Sequence, residues 1–305
     1  MFERKKKVFI TGCGGMLGQA VYNTFSDKFE VLATDIDLNE DWLEFMDVKD
    51  YKQCFEKISK FRPDIILHLA ALTNLEFCEK NPGDAKATNA LGTKNIALIS
   101  KKVGALMVYI GTAGIFDGKK EYYNELDTPR PLSVYGKYKL EGERFIQKNM
   151  GKFFIFRAGW MMGGGPKKDK KFVNKIYKQI KEGKKEIFVV NDKLGTPTYT
   201  LDFAKNMLKV IESKNYGLYH MVCQGSCSRY DVVKEFLKYL NLQDKIKLKI
   251  VGSDFFQKEY FAPRPASEKL INHKLGEKGM NLMREWKDCL KEYSKEFKID
   301  LSKTI

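Results

Sequence analysis

The fold prediction rests on one stretch, Lys7-Val-Phe-Ile-Thr-Gly-Cys-Gly-Gly-Met-Leu-Gly18, near the start of a 305-residue chain. Its first five residues are mostly apolar, β-branched or aromatic, and a glycine cluster follows, which predicts a short buried strand and a turn. A helical pattern begins after Gly18. Glycines at 12, 15 and 18 allow a tight turn, a close approach of the backbone to a pyrophosphate, and close helix–strand packing. The stretch therefore predicts a phosphate-binding turn at a helix N-terminus, against the alternative of a glycine-rich turn that binds nothing.

A carboxylate at the end of the next predicted strand bears on the choice of cofactor. Asp35 ends the segment 30–35 and follows Gly18 by 17 residues, close to the roughly 20-residue offset of the acid that binds an adenosine ribose. A carboxylate there accepts a hydrogen bond from a 2′-hydroxyl and repels a 2′-phosphate. We therefore expect NAD(H) to be favoured over NADP(H), although the lysines at 5–7 could attract a phosphate. An Asp that only caps a turn is the alternative.

Strand and helix signals alternate through the first half of the chain. Apolar strands are predicted at 65–69, 106–110 and 153–156, with helices at 85–102 and 135–147. This alternation predicts an α/β fold of the Rossmann type, with a doubly wound parallel sheet.

The second half of the chain predicts a smaller lobe. A strand at 187–190 is followed by helical patterns at 201–213, 228–240 and 282–297. We place a dinucleotide-binding core at residues 1–157. Residues 158–305 are predicted to form mainly a C-terminal substrate-binding lobe, with some strands and helices returning to the core.

Composition limits the classes of function. The net charge is +15, but the lysines are spread along the whole chain, so we expect only a diffuse positive field and no specific nucleic-acid binding. No apolar run approaches the ~18 residues of a membrane span, and a strand rather than a cleavable apolar segment follows the basic N-terminus. Six scattered cysteines lack zinc-site spacing. We therefore expect a cytoplasmic protein with reduced thiols, no metal and no membrane partner.

Tyr135 and Lys139 form a pair with a specific chemical use. They are four residues apart, so on a helix they share one face. An ammonium ion stabilises a phenolate, and we expect the pKa of Tyr135 to fall from about 10 toward the working pH. Thr112 follows the strand at 106–110, at the sheet edge where ligands of doubly wound folds bind. Its hydroxyl could donate a hydrogen bond to a carbonyl oxygen. A solvated surface pair and a structural threonine are the alternatives.

The chain resembles the extended short-chain dehydrogenase/reductase family, which carries such residues in the same order: Gly12, Gly15, Gly18, Thr112, Tyr135 and Lys139. The resemblance runs nearly end to end. Within that family the chain is most similar to the dTDP-4-dehydrorhamnose reductases. Further motifs carry the resemblance: Asp47-Val48, His68-Leu-Ala-Ala71-Leu-Thr73, Asn89-Ala-Leu-Gly-Thr93, Phe116-Asp117-Gly118, Glu125 to Pro131, Gly142-Glu143, Gly195-Thr-Pro197, Gly217-Leu-Tyr219-His220 and Arg264-Pro265.

The resemblance implies a role for each matched residue. Tyr135 would protonate the C4 oxygen of a sugar, Thr112 would orient the carbonyl, and Lys139 would lower the tyrosine pKa and hold the nicotinamide ribose. The implied cofactor-binding residues are Gly12, Gly14, Gly15, Met16, Leu17, Gly18, Asp35, Asp47, Val48, Ala70, Ala71, Thr73, Tyr135 and Lys139. The implied substrate-binding residues are Thr73, Ala113, Trp160 and Arg264. A core position for Trp160 and a surface position for Arg264 stay open.

The chain departs from the reductases just after the strand at 106–110. They usually carry Ser-Thr-Asp-Tyr-Val-Phe where this chain has Gly111-Thr112-Ala113-Gly114-Ile115-Phe116. Ala113 and Gly114 lack the acidic or thiol groups that related dehydratases and epimerase-reductases use at carbon acids, so ketone reduction remains.

The implied function is NAD(P)H-dependent reduction of the 4-keto group of a nucleotide-activated deoxy sugar, as in dTDP-rhamnose and polysaccharide biosynthesis. The alternatives are a nucleotide-sugar epimerase and a non-catalytic, cofactor-binding regulatory subunit such as that of methionine adenosyltransferase. A homodimer is compatible with all three.

Overall fold

The computed structural model describes residues 4–302, and a seven-stranded sheet lies at its centre. Its strands alternate with helices along the chain. The strands are β1 Lys7–Thr11, β2 Glu30–Asp35, β3 Leu43–Phe45, β4 Ile65–His68, β5 Leu106–Thr112, β6 Phe153–Ala158, β7 Trp160–Met162, β8 Glu186–Val190, β9 Leu194–Gly195, β10 Pro197–Tyr199, β11 Gly217–His220, β12 Cys227–Ser228, β13 Lys247–Val251 and β14 Ser267–Glu268. The helices are α1 Gly18–Ser26, α2 Tyr51–Phe61, α3 Leu75–Lys80, α4 Pro82–Lys86, α5 Thr93–Val103, α6 Val134–Asn149, α7 Gly165–Lys168, α8 Phe172–Lys181, α9 Thr200–Glu212, α10 Arg229–Tyr239, α11 His273–Glu277 and α12 Trp286–Ser302.

The central sheet has the order β11-β6-β5-β4-β1-β2-β3, and every adjacent pair is parallel. The chain runs outward from β1 through β2 to β3, then crosses back to place β4 on the other side of β1. This reversal opens a crevice at the carboxyl ends of β1 and β4, where ligands of doubly wound sheets bind. The predicted Rossmann-type fold is confirmed.

Both faces of the sheet are buried, as a run of apolar residues in a central parallel strand requires. Successive side chains of a strand point to opposite faces. Val8 and Ile10 of β1 therefore pack in one cluster with residues of α1 and α9, whereas Phe9 packs in a second cluster with residues of α2 and α5.

The helix predicted at 85–102 contains a local irregularity. Residues 87–92 form a π-helical segment between α4 and α5. Within it, the Asn89 side chain accepts a hydrogen bond from the Leu72 N–H (2.8 Å) and donates one to the Leu72 carbonyl (2.9 Å). A π segment of this kind is often found at a functional site, and here it holds the loop that follows β4.

The second half of the chain builds three small sheets and also returns to the central one. The small sheets pair β7 with β10, β8 with β13, and β9 with β12 and β14, whereas β11 extends the central sheet beside β6. The division at residues 157 and 158 stays a prediction. Within residues 4–302 no helix is both long and apolar enough to cross a bilayer.

Candidate active site

The glycine loop between β1 and α1 is shaped by contacts that only glycine permits. Gly12 has φ +71°, and a Cβ on it would lie 2.3 Å from the Ala70 backbone. A Cβ on Gly18 would lie 1.7 Å from the Cys13 carbonyl oxygen. At Gly15, by contrast, the nearest atom in the described part of the chain would be 3.6 Å away. Gly12 and Gly18 are therefore required by close packing, whereas Gly15 leaves room for a ligand.

The N-terminus of α1 offers free donors beside this room. Its N-cap residue, Leu17, has no oxygen-bearing side chain, and within residues 4–302 no side chain caps the first-turn N–H groups. No acidic residue of the first turn competes for the positive end of the helix dipole. The loop therefore fits the diphosphate of a dinucleotide, as predicted for the segment from Gly12 to Gly18.

Asp35 is fixed at the edge of the same loop. Its Oδ2 accepts a hydrogen bond from the Gly14 N–H (2.8 Å), and its Oδ1 accepts one from the Asp37 N–H (3.0 Å). The carboxylate therefore lies at the carboxyl end of β2, where a Rossmann fold holds an adenosine ribose.

The other predicted cofactor residues line the neighbouring strand ends. Val48 is buried, and its side chain packs so closely on Gly92 that a Cβ there would lie 2.8 Å from it. Asp47 accepts a hydrogen bond from the Lys49 N–H (2.9 Å). Ala70, Ala71 and Thr73 lie in the loop after β4 that Asn89 holds. The roles of these residues stay predictions.

Helix α6 brings Tyr135 to Thr112. Ser133 caps the helix, its hydroxyl accepting a hydrogen bond from the Gly136 N–H (3.1 Å). A Cβ on Gly136 would lie 2.2 Å from the Gly114 carbonyl oxygen, so the helix rests directly on the segment after β5. The Thr112 hydroxyl accepts a hydrogen bond from the Gly114 N–H (3.1 Å). A Cβ on Gly114 would lie 3.5 Å from Thr112 Oγ1 and 3.6 Å from the Tyr135 ring, so the two side chains meet at Gly114.

The expected fall in the pKa of Tyr135 is wrong for the protein alone. Burial raises this pKa to about 12, although the hydrogen bond to Thr112 acts to lower it. Burial also lowers the pKa of Lys139 to about 7, while the Glu143 carboxylate acts to raise it. Burial is the largest cause of both shifts, because removal from water disfavours the charged form of each group. A phenol with this pKa keeps its proton at neutral pH, as a proton donor must.

A buried ion pair supports Lys139 from one helical turn below. Glu143 binds Arg157 through two bonds, Oε2 to Nε (3.0 Å) and Oε1 to Nη2 (2.5 Å), and both side chains are almost fully buried. The Lys139 Nζ lies 4.1 Å from the Tyr109 ring centroid, and the Tyr109 hydroxyl donates to the Lys139 carbonyl (3.1 Å). Sequence reasoning missed this support. The four-residue spacing from Lys139 to Glu143 was the available signal.

The predicted substrate residues fall in different surroundings. Ala113 is 2% exposed and packs in an apolar cluster with Ile115 and Phe116. Trp160 is partly buried, and its Nε1 donates to Glu268 Oε2 (2.8 Å). Arg264 pairs with Glu76 (2.7 Å). Their roles in substrate binding stay predictions.

Three further cations lie around Lys171, and sequence reasoning did not find the four as a group. Lys171 donates to both the hydroxyl and the carbonyl of Thr73 (3.0 Å each). Burial, then the positive charges of Lys175, Arg229 and Arg264, lower the pKa of Lys171 to about 8. Arg229 stacks on Trp160, with its Cζ 3.6 Å from the ring centroid, and burial lowers its pKa to about 10. We call Lys171, Lys175, Arg229 and Arg264 the cationic group.

Metal-ligating side chains do not gather in the same way. Within residues 4–302 no cluster of three His, Cys, Asp or Glu side chains could hold a metal ion. The six cysteines all lie in this range, and each is buried and free.

A Tyr–Lys pair beside a glycine loop on a doubly wound sheet is typical of extended short-chain dehydrogenase/reductases. The chain belongs to the family described as RmlD substrate binding domain, whose model matches residues 6–299. It is 32% identical to the spore coat polysaccharide biosynthesis protein SpsK of Bacillus subtilis, covering 95% of this chain and 97% of that protein.

Two further relatives bear on function. A dTDP-4-dehydrorhamnose reductase of Bacillus anthracis, solved in complex with NADP, is 32% identical with a TM-score of 0.86, covering 95% of this chain and 99% of that one. Methionine adenosyltransferase 2 subunit beta of Xenopus laevis is 26% identical, covering 97% of this chain and 89% of that protein. The predicted membership of the extended dehydrogenase/reductases and the predicted similarity to the dTDP-4-dehydrorhamnose reductases are confirmed.

Proposed function

We propose that the protein reduces the 4-keto group of a nucleotide-activated deoxy sugar with NADH or NADPH. The observation that carries the proposal is that the side chains of Thr112 and Tyr135 meet at Gly114, with Lys139 one helical turn from Tyr135, at the sheet edge that also carries the glycine loop. The Bacillus anthracis relative, a dTDP-4-dehydrorhamnose reductase, supports dTDP-4-dehydrorhamnose as the first substrate to test.

The reaction divides among these residues as follows. The nicotinamide, when bound, supplies the hydride. Thr112 turns its hydroxyl to the substrate carbonyl and orients it, and Tyr135 gives its proton to the same oxygen. The positive charge of Lys139 stabilises the phenolate that remains. General acid catalysis of this kind contributes about 10²–10⁴-fold.

The cationic group supports a substrate that carries a diphosphate. Burial, and after it the positive charges of the other three members, lower the pKa of Lys171. A bound anion would relieve the part that comes from charge repulsion. Arg229 and Arg264 present guanidinium groups, which bind phosphate oxygens in pairs. Arg229 lies on Trp160 and Lys171 binds Thr73, and both partners are among the residues predicted to bind substrate.

The activity is tested directly with purified protein, NADH or NADPH, and a dTDP-4-keto-6-deoxy sugar. We expect one cofactor molecule to be oxidised for each alcohol formed. A product isomer formed without net oxidation of cofactor would support the epimerase alternative instead. If no keto sugar in a panel of nucleotide sugars causes oxidation of either cofactor, the proposal is wrong.

Asp35 should set the cofactor preference. In Asp35→Asn the side chain can still accept the Gly14 hydrogen bond, but the charge that repels a 2′-phosphate is gone. We expect the ratio of kcat/KM for NADH to that for NADPH to fall about tenfold, measured by steady-state kinetics with both cofactors. Asp37→Asn, two residues on and exposed, is the matched control and should leave the ratio unchanged. An unaltered ratio in Asp35→Asn would reject this role.

A second candidate function is a non-catalytic regulatory subunit. The similarity to methionine adenosyltransferase 2 subunit beta over nearly the whole chain favours it. This alternative predicts that the protein binds NAD(H) or NADP(H) without oxidising it in the presence of any keto sugar, and that it forms a stable complex with a methionine adenosyltransferase catalytic chain.

A further inference from the structure

A second glycine-rich segment lies against the first. Gly163, Gly164 and Gly165 follow β7 with φ values of +146°, +78° and +63°. A Cβ on Gly163 would lie 1.9 Å from the Thr200 hydroxyl, and one on Gly164 would lie 3.2 Å from the Met16 carbonyl oxygen. Glycine at these positions lets the segment approach the loop between β1 and α1. The short helix α7 is thereby placed beside that loop.

Helix α7 ends at Lys168, whose ammonium group is buried with few partners. The Nζ lies 2.7 Å from Glu40 Oε1 and 5.7 Å from the Trp42 ring centroid, and the side chain is 12% exposed. Within residues 4–302 this nitrogen makes no hydrogen bond of good geometry. An ammonium group has three donors, and leaving them unsatisfied in a buried position is costly. Glu40 alone does not account for this arrangement.

Lys168 lies close to the turn at Gly14 that Asp35 contacts. Asn39, next to Glu40, donates from Nδ2 to the Gly14 carbonyl (3.1 Å), and Asp35 accepts from the Gly14 N–H. The charges of Asp35 and Lys168 both act on the pKa of the Cys13 thiol. Burial raises its pKa, Asp35 raises it further, and Lys168 acts to lower it. Asp35 therefore contacts this turn directly, and Lys168 is held next to it by Glu40, the neighbour of Asn39.

We propose that Lys168 binds the 2′-phosphate of NADP(H), so that the protein accepts this cofactor in spite of Asp35. The inference rests on the cofactor site of the proposed function. A 2′-phosphate carries about −1.5 to −2 charges at pH 7, and a lysine serves it as a mobile point charge. With NAD(H) the ammonium stays with Glu40. With NADP(H) it exchanges the carboxylate for the phosphate.

The test uses two adenosine ligands that differ at the 2′ position. Binding of 2′,5′-ADP and of 5′-AMP is measured by calorimetry for the full-length protein. Lys168→Gln is expected to weaken binding of 2′,5′-ADP about tenfold and to change binding of 5′-AMP less than about twofold. Lys167→Gln, an exposed neighbour on the same helix, is the matched control and should change neither. Glu40→Gln should tighten 2′,5′-ADP, since it frees the ammonium group.

Three results would overturn the proposal. If Lys168→Gln weakened the binding of both ligands equally, the lysine would contact a group that 2′,5′-ADP and 5′-AMP have in common. No change in either would make its role structural. If Lys168→Gln lowers the unfolding temperature, Lys168→Arg is measured, and failure of that charged variant to retain 2′,5′-ADP binding also counts against the proposal. Because these ligands bind without turnover, the outcome is independent of whether the protein reduces a keto sugar.

Discussion

Tyr135→Phe is expected to lower kcat for keto-sugar reduction by about 10²–10⁴-fold. The change removes one oxygen atom and with it the proton that the substrate oxygen receives. The ring stays in place, since its contacts with Gly114 are made by carbon atoms. The affinity for NADH or NADPH should therefore remain near that of the unmodified protein, which separates a lost proton donor from a damaged site. Single-turnover kinetics with saturating cofactor measure the effect.

Tyr138→Phe is the matched control for this substitution. Tyr138 lies on the same helix three residues further on and is also partly buried, but the mechanism gives its hydroxyl no part. We expect kcat to change less than about twofold. Unchanged turnover in Tyr135→Phe would reject Tyr135 as the acid, whatever the substrate proves to be.

Glu143→Leu is expected to lower the free energy of unfolding by about 3–5 kcal/mol, because it leaves a buried guanidinium without its counter-charge. The partner, Arg157, is 3% exposed. Within residues 4–302 its side chain would keep the contact to His220 Nε2 (3.2 Å) and its position over the Phe116 ring, and neither supplies a negative charge. Urea unfolding measures the loss. The double variant Glu143→Leu with Arg157→Leu should be more stable than the single one, since no isolated charge remains.

An exposed pair on the same helix provides the control for this prediction. Glu141 pairs with Lys94 (2.8 Å), and the two side chains are 34% and 29% exposed. Glu141→Leu should cost less than about 1 kcal/mol. Similar losses in Glu141→Leu and Glu143→Leu would show that the burial of the Arg157 pair does not determine its contribution.

Local pattern was sufficient for much of the fold. The strands at 7–11 and 30–35 were predicted at their observed bounds, because each is an uninterrupted run between clear turn signals. The π-helical segment at 87–92 could not be predicted, since it depends on the Asn89 side chain reaching Leu72, and its sequence reads as ordinary helix.

The parts of the candidate site that are recognisable from their position along the chain could be predicted. The parts that only folding brings together could not. Thr112 and Tyr135 were assigned from positions relative to a strand and a helix, and the structure brings the two side chains together at Gly114. The members of the cationic group are spread from residue 171 to residue 264, so no regular spacing in the sequence indicates that they lie together. The pKa of Tyr135 moved opposite to the prediction because the spacing of a pair does not tell how deeply it is buried.

Gly111 limits how this sequence can change over time. A Cβ there would lie 2.9 Å from Arg157 Cγ and 3.3 Å from Glu143 Oε2, so the serine that the reductases usually carry at this position does not fit beside the ion pair as it stands. A side chain at position 111 therefore requires the side chains of Arg157 and Glu143 to shift. A graft of the reductases' loop, which places serine at position 111, would therefore have to repack this buried ion pair.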